Sequence, residues 1–394
     1  MTASTGNPAS ERRELLRQLA ARRSEMIPMI RRMVEQESPS FNKPAVDAMG
    51  ELLAEEFSRR GARVRFHRSS KYGNHLEADW PPGDAARRAR QRPVLLLGHF
   101  DTVWDVGTLA SMPFRQSRGR LWGPGVLDMK AGIAQLLFAV EALRQRPGGL
   151  PRPVTALLVT DEEVGSESSR PITERLARRS DAVLVLEPSF GLQGALKTAR
   201  KGVGSYTVKI GGVAAHSGLD FNKGQSAILE LARQIVEISN FSEPRRGITV
   251  NPGVVRGGTR SNVVAAEAVV EVDARITRLA DRARLDRKFH ALRPFNRNCT
   301  LEISGGINRP PLERTAAVAR LFAQAQAVAG DLGFRLGEAA VGGGSDGNFT
   351  AALGVPTLDG LGAVGEGAHA LNESVLISEL PRRAALLAGL IATV

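Results

Sequence analysis

Apolar and polar residues alternate along the chain in two different textures. Over 11–35 the apolar positions Leu15, Leu16, Leu19, Met26, Ile27 and Ile30 recur at helical spacing, and a second such stretch, 43–60, stops before Gly61. Both predict helices with one buried face. The runs 94–98 (VLLLG), 154–159 (VTALLV) and 182–186 (AVLVL) are apolar almost throughout, 62–67 is a further β-rich run, and helical patterns cover 131–144 and 170–178. Strands alternating with helices predict an α/β fold whose parallel or mixed sheet is covered on both faces. In such sheets ligands sit beyond the carboxyl ends of the strands.

Near residue 198 the texture changes. Residues 204–211 (GSYTVKIG) and 268–277 (AVVEVDARIT) alternate as half-buried strands do. Strands at 248–255 and 300–304 and helices at 226–239 and 279–291 complete a β-α-β-β-α-β run, the ferredoxin-like pattern of an open-faced sandwich. Past Gly305-Gly306 and Pro310-Pro311 the first texture resumes with a helix at 315–329, an apolar run at 357–361 and a final helix at 378–393. The expected organisation is therefore a larger α/β domain in two parts, 1–197 and 308–394, with a smaller α+β domain, 198–307, inserted between them.

Composition narrows the chemistry. A length of 394 residues suits about two domains. The single cysteine, Cys299, excludes an internal disulfide framework and any multi-cysteine zinc site, so a metal here must be held by histidine and carboxylate. The net charge of +12 is mostly arginine, as in Arg12, Arg13, Arg17, Arg22 and Arg23, in Arg87, Arg88, Arg90 and Arg92, and in Arg282, Arg284 and Arg287. These fall on helix faces, and only 14 Phe, 3 Trp and 2 Tyr accompany them. That pattern sets solubility and steering and argues against nucleic acid as a partner. No stretch reaches the roughly 18 apolar residues of a membrane span. The polar residues 1–10 lack the apolar core of a secretory signal. The expectation is a cytoplasmic protein with no membrane partner.

Polar clusters follow the predicted strands. His99-Phe100-Asp101 follows VLLLG, Thr160-Asp161-Glu162-Glu163 follows VTALLV, and Glu187-Pro188 follows AVLVL. Asp128 lies between a Gly-rich turn and a helix, and His369 ends a later strand–loop passage, 365–369 (GEGAH). Singly these are ordinary: a Glu-Glu pair is usually a solvated face, and Asp128 could cap the helix from Ala131. Together they bring five histidine and carboxylate ligands to one sheet edge. That set suits Zn²⁺ and its first-row neighbours, and is too large for one tetrahedral ion with an open position. Two ions sharing a bridging carboxylate would fit, and would activate water and polarise a carbonyl. Of the Glu162-Glu163 pair, one carboxylate could bind metal while the other serves as general base.

The segments 98–103 (GHFDTV), 123–132 (GPGVLDMKAG), 161–165 (DEEVG) and 186–188 (LEP) resemble the dinuclear zinc exopeptidases and deacylases. The likeness covers nearly the whole chain past residue 25, and 196–202 (LKTARKG), 342–346 (GGGSD) and the late histidine look most like the bacterial glutamate carboxypeptidases. The resemblance implies a zinc-exopeptidase-like catalytic domain with a mixed central sheet, and an inserted ferredoxin-like domain that forms a homodimer. It implies two Zn²⁺, with Co²⁺ or Mn²⁺ as alternatives. His99 and Glu187 would hold one ion, Glu163 and His369 the other, and Asp128 would bridge both, followed by a cis peptide to Met129. Asp101 would orient His99, and Glu162 would be the general base. His216 would reach the partner subunit's active site. Arg309 would grip the substrate's free carboxylate, with Asn251 and Ser345 as further substrate contacts. The implied reaction is hydrolysis of the amide bond to a C-terminal amino acid, glutamate for preference, in a small peptide or N-acyl amino acid. A deacylase of the acetylornithine or succinyl-diaminopimelate type, or a dipeptidase, is the alternative on the same scaffold. A non-catalytic binding protein is disfavoured, since every metal position and Glu162 are present. Ala131 departs from the family's usual glycine, Glu366 is read as a tuner of substrate preference, and His67, His75 and His290 match no motif.

Overall fold

Runs that are apolar throughout belong to strands buried on both faces, and the computed structural model, which describes residues 7–83 and 91–394, places them so. Arg87, Arg88 and Arg90 lie outside the described residues. The chain divides into two compact units, Met1–Ala199 with Arg314–Ala340 and Ser345–Val394, and Arg200–Glu313 with Val341–Gly344.

The first unit is built on a six-stranded sheet. Strands β1 (Arg63–His67), β2 (His75–Trp80), β3 (Val94–His99), β6 (Val154–Val159), β7 (Ala182–Val185) and β14 (Thr357–Leu358) lie in the order β1-β2-β6-β3-β7-β14. The β3, β6, β7 and β14 strands run parallel, while β2 pairs antiparallel with both β1 and β6, so the sheet is mixed. Val94 and Leu96 of β3 enter one core, Leu95 and Leu97 the other. The first core holds the helices α1 (Pro8–Ala21), α2 (Arg23–Glu35), α3 (Lys43–Arg59), α4 (Ala131–Arg144), α8 (Ala316–Asp331) and α10 (Leu380–Thr393). The second is closed by α5 (Arg170–Ala177). In β3 and β6 the pair His99 and Val159 stand in register at the carboxyl edge, so the residues that follow each strand emerge at the same level.

The expected single helix over 11–35 is two. It breaks at Arg22, whose φ of −92° and ψ of 10° are not helical. The Arg22 guanidinium there joins Glu25 and Glu141, at 2.8 and 2.9 Å. A further strand, β2, has no apolar run to announce it. Its HLEADW stretch carries charge at positions that are nonetheless buried, because Glu77 is met by Arg65 and His67 of the neighbouring β1, both at 2.5 Å.

The second unit is an antiparallel sheet of β9 (Gly202–Gly211), β10 (Thr249–Gly257), β11 (Glu267–Ile276) and β12 (Thr300–Arg309) in the order β10-β11-β9-β12. One face is buried against α6 (Ala227–Ser239) and α7 (Asp281–Ala291). Alternation in β9 puts Tyr206, Val208 and Ile210 into that core, where Tyr206 stacks on Phe289 at 3.7 Å between ring centroids. Among the described residues no helix is long and apolar enough to cross a membrane.

Candidate metal centre

Three segments end the parallel strands at their carboxyl edge, and the Asp128 turn and the His369 link join them from elsewhere in the first unit. His99 is the last residue of β3, and its ring is almost wholly buried. Nδ1 lies 3.0 Å from the Asp101 carbonyl and 3.4 Å from its carboxylate. Nε2 faces Asp128 Oδ1 at 3.1 Å and Glu187 Oε1 at 3.6 Å. Across the cluster, His369 Nε2 lies 3.4 Å from Asp128 Oδ2 and 3.1 Å from Glu163 Oε1. The two oxygens of Asp128 thus face two different imidazoles, each with a second carboxylate beside it. Donor atoms of His99, Asp128 and Glu163 lie within 4.8 Å of one another, and so do those of His99, Glu162 and Glu187.

Each ligand is held by its backbone setting. Asp128 lies in a tight turn, Val126–Lys130, that follows Gly125 (φ +70°) and precedes α4. The Asp128–Met129 peptide is cis. Asp128 does not cap α4, which receives no side-chain cap. Gly132, the second residue of α4, must lack a side chain, since a Cβ there would meet the Leu186 carbonyl at 2.6 Å. That contact presses α4 against the residue before Glu187. His369 has a left-handed backbone, φ +61°, on the link between the short strands β15 (Gly365–Glu366) and β16 (Ser374–Leu376).

Asp101 is fully buried and works as a tie. Its carboxylate accepts Ser40 Oγ–H at 2.7 Å and the backbone N–H groups of Glu162 and Glu163 at 3.4 and 3.3 Å. It therefore links the His99 loop to the loop of the two glutamates. Asp161 is equally buried and accepts Ser168 N–H and Oγ–H, both at 2.7 Å.

The electrostatics fit a cation centre. Burial alone would discharge His99, but Asp101 and Asp128 hold its proton affinity well above the ordinary value. Asp128 and Glu163 push His369 up to about 10 against the effect of burial. Burial pushes the Asp128 carboxyl up, and the two imidazoles more than reverse this. Acidic oxygens converging in a partly dry site demand positive charge. Divalent ions suited to N and O donors would supply it.

Two residues of the site carry no motif. Glu373, fully buried, accepts the N–H groups of Gly125 (2.9 Å), Leu127 (2.8 Å) and Asp128 (3.0 Å) and the Trp104 indole N–H (2.9 Å). Its setting, LNES, reads in sequence as an exposed turn, and no periodicity signals a partner more than 240 residues away. His75 is the other. Its Nδ1 accepts Thr160 N–H at 3.3 Å and its Nε2 lies 3.0 Å from Ser168 Oγ, so it clasps both ends of the loop bearing Glu162 and Glu163.

The remaining sequence candidates stand as follows. Ser345 is fully buried, its Oγ–H donating to Asp359 at 2.6 Å and accepting Gly347 N–H at 3.1 Å. The hydroxyl expected to face substrate is spent on the turn itself. Glu366 pairs with Arg120 at 3.0 Å. In the second unit, Asn251 is exposed on β10 opposite Asp273 of β11, and Arg309 is buried at the end of β12 beyond a register shift. His216 is exposed, and its Nδ1 accepts the N–H groups of Gly218 (3.1 Å) and Leu219 (3.2 Å). That leaves Nε2 to carry the proton, as a donor aimed outward.

Comparison with known proteins gives a consistent picture. A model of peptidase family M20/M25/M40 matches residues 95–393. Carboxypeptidase G2 of Pseudomonas sp. (strain RS-16) is 28% identical over 372 residues, covering 93% of this chain and 88% of that protein. A succinyl-diaminopimelate desuccinylase of Acidovorax ebreus is 27% identical over 324 residues, covering 76% and 81%. Among solved structures, the YXEP protein of Bacillus subtilis, described as a dinuclear metal binding peptidase, superposes with a TM-score of 0.67 at 15% identity over 95% of this chain and 98% of its own.

Proposed function

The chain belongs to peptidase family M20/M25/M40, and we propose that within it the chain is a two-zinc carboxypeptidase, cleaving the amide bond to a C-terminal amino acid, glutamate for preference. The observation that carries this reading is the split allegiance of Asp128, one oxygen toward His99 and the other toward His369. His99, Glu187 and Asp128 would hold one ion, His369, Glu163 and the same Asp128 the other. When bound, such ions acidify water and polarise a carbonyl oxygen.

The protein's own groups do the rest. Glu162, whose carboxylate lies within 4.8 Å of donor atoms of His99 and Glu187, serves as the general base. It takes a proton from the attacking water and returns it to the leaving nitrogen. Asp101 fixes the His99 ring through Nδ1 and, through the two backbone N–H groups it accepts, fixes Glu162 and Glu163 as well. Such outer hydrogen bonds set the orientation of metal ligands. Arg309 pairs with the substrate's terminal carboxylate, for which a guanidinium offers a bidentate fork, and Asn251 contacts the substrate nearby. The Nε2–H of His216 donates to the reacting carbonyl oxygen of a partner subunit's site. Homodimer formation through the second unit is supported by apolar side chains left open there: Ile228, Leu229 and Val236 on α6, and Val254 and Val255 on the edge strand β10. Exposed apolar side chains on one helix and the neighbouring edge strand are what an association face requires.

The test is Glu162→Gln. The variant keeps every proposed ligand, so it should bind the same two equivalents of metal as the wild type. Its turnover of N-acyl-glutamate substrates should fall by about 10²–10⁴, the range for loss of a general base. Wild-type protein treated with a chelator should lose the same activity and regain it with Zn²⁺. Turnover undiminished in Glu162→Gln, or indifferent to chelator, would overturn the reading.

A further inference from the structure

The loop that carries Glu162 and Glu163 is loosely held in its middle. Glu162–Val164 is one turn of 3-10 helix, closed by Gly165 N–H to the Glu162 carbonyl at 3.1 Å. The Asp101 carboxylate reaches the N–H groups of Glu162 and Glu163 at 3.4 and 3.3 Å, long for such bonds. Past the turn, Gly165 (φ +103°) and Ser166 (φ +59°) are both left-handed. A serine held there is strained, and persists only where its surroundings fix it.

The ends of the loop meet at His75, which matches no motif in the sequence. Its buried ring lies between Thr160, where the loop begins, and Ser168, where it ends. These partners dictate where the ring carries its proton. Thr160 N–H donates, so Nδ1 presents its lone pair. Ser168 gives its hydroxyl proton to the Asp161 carboxylate at 2.7 Å, so Ser168 Oγ accepts from Nε2–H. A relay results, from His75 through Ser168 to Asp161, whose Oδ2 also accepts the N–H groups of Ser168 and Ser169 at 2.7 and 3.3 Å. A second proton, on Nδ1, would turn to Thr160 Oγ1 at 3.0 Å and leave the buried Thr160 N–H without its acceptor.

We propose that His75, in its Nε2–H tautomer, is a positioning residue for Glu162. It ties both ends of the 160–168 loop and so sets where the base stands relative to the attacking water. The inference rests on the carboxypeptidase reading for the role of Glu162. In that centre an ion also holds Glu163, so a loosened loop falls harder on Glu162. Misplacing a reacting group by about 1 Å costs about 100-fold in rate. The tie is also sensitive to acid. Burial holds the His75 value below its ordinary one, with His67 of β1 and Lys43 of α3 acting in the same direction and Asp161 and Asp101 against it. The singly protonated ring is therefore present at neutral pH and is lost as the pH falls through that lowered value.

The experiment compares three variants of the zinc-loaded enzyme on N-benzoyl-glutamate. His75→Leu removes both ties, and should lower kcat about 100-fold with KM and bound zinc as in the wild type. His75→Asn offers an amide oxygen near the place of Nδ1, and His75→Gln an amide N–H near that of Nε2. Each keeps one tie and should lose only about tenfold, the scale of one hydrogen bond; these two carry the test if the apolar variant does not fold. The advantage of the wild type over His75→Asn, which does not titrate, should narrow below about pH 6.5, the ordinary histidine value. Amide exchange over 160–168 in the metal-free protein, a readout independent of turnover, should accelerate about tenfold or more in each variant. Unchanged kcat, a loss of kcat matched by loss of zinc, an advantage constant with pH, or unchanged exchange would overturn the positioning role and leave the carboxypeptidase reading standing. A wild type inert toward N-acyl-glutamates would overturn that reading and the role of Glu162 with it, a failure told apart because exchange over 160–168 would still respond to His75.

Discussion

Glu373 offers the sharpest perturbation of the centre, because it touches none of the proposed ligand atoms. Oε1 receives Leu127 and Asp128 N–H, and Oε2 receives Gly125 N–H and the Trp104 indole N–H. Burial pushes this carboxyl up, while the N–H groups of Asp128, Gly125 and Leu127 and the Trp104 indole pull it back. All four contacts are donors, so the ionised form is the one that fits. Glu373→Gln preserves the shape and replaces one oxygen by an NH₂ group. Whichever way the amide turns, two donors then face another donor. A hydrogen bond to a charged group contributes about 1.5–3 kcal/mol net, so losing two costs about 3–6 kcal/mol. The loss falls on the turn that carries Asp128, since Leu127 and Asp128 lie in it and Gly125 immediately precedes it. At about 1.4 kcal/mol per factor of ten, backbone amide exchange across residues 123–130 should accelerate by about 100-fold or more. Exchange in the second unit should stay at the wild-type rate. Metal affinity should fall by about 10–100-fold, the usual consequence of loosening a ligand's support. Hydrogen exchange read by mass spectrometry, with a metal titration on the same samples, measures both. Unchanged exchange over 123–130 together with unchanged affinity would refute the view that Glu373 holds Asp128 in place.

Two further outcomes follow from the same reasoning. Inactive His216→Ala and inactive Glu162→Gln protomers, mixed and allowed to exchange, should recover activity of the order of one quarter that of wild type, because one site in the hybrid receives both intact groups; no recovery would refute action across subunits. Glu56 is buried among arginines, with Arg32 at 2.7 Å and Arg60 at 2.6 Å. Burial raises its carboxyl, but the two guanidinium groups bring it below the ordinary carboxylate value. Its contribution to stability is therefore fully present above the unfolded value near pH 4.3 and is lost as the pH falls through the lower folded value. Glu56→Gln should cost about 1–3 kcal/mol at neutral pH, and the gap from wild type in denaturation experiments should close below about pH 4.

The elements that sequence makes legible are those with one dominant physical cause. VLLLG and VTALLV announce strands buried on both faces, and GSYTVKIG announces one buried on a single face, because hydrophobic burial writes itself directly into residue order. Strand-end acids are legible for a related reason. The edge where parallel strands stop is where polar side chains can converge, and the structure brings His99, Asp128, Glu163, Glu187 and His369 together within the first unit. What stays hidden is support supplied from far away in the chain. Neither Glu373 beneath the Asp128 turn nor His75 clasping the Thr160–Ser168 loop belongs to a local pattern. The strand carrying His75 was itself obscured by acids that only the neighbouring strand neutralises. Ser345 shows the converse: a hydroxyl beside a glycine-rich turn reads as ligand-facing, yet its partner Asp359 lies 14 residues on and draws it inward.

Charge balance is the physical reason for proposing two ions at this centre rather than one. Four carboxylates, those of Asp128, Glu162, Glu163 and Glu187, share the cluster with two imidazoles. Asp101 is better solvated by the protein itself, through Ser40 and two backbone N–H groups. One divalent ion would leave two of the four negative charges uncompensated in a partly buried site, a costly arrangement. Two divalent ions bring the sum to zero without requiring protons on His99 and His369, whose nitrogens then become ligands. The same balance accounts for Glu162. Had a fifth acid joined the four, the site would hold surplus charge at rest. As the proposed base, Glu162 would take up a proton from water and give it back, a transfer within the site that leaves its net charge unchanged. Removing any one of the four should therefore disturb metal stoichiometry or proton transfer selectively, according to whether the lost carboxylate was a ligand or the base.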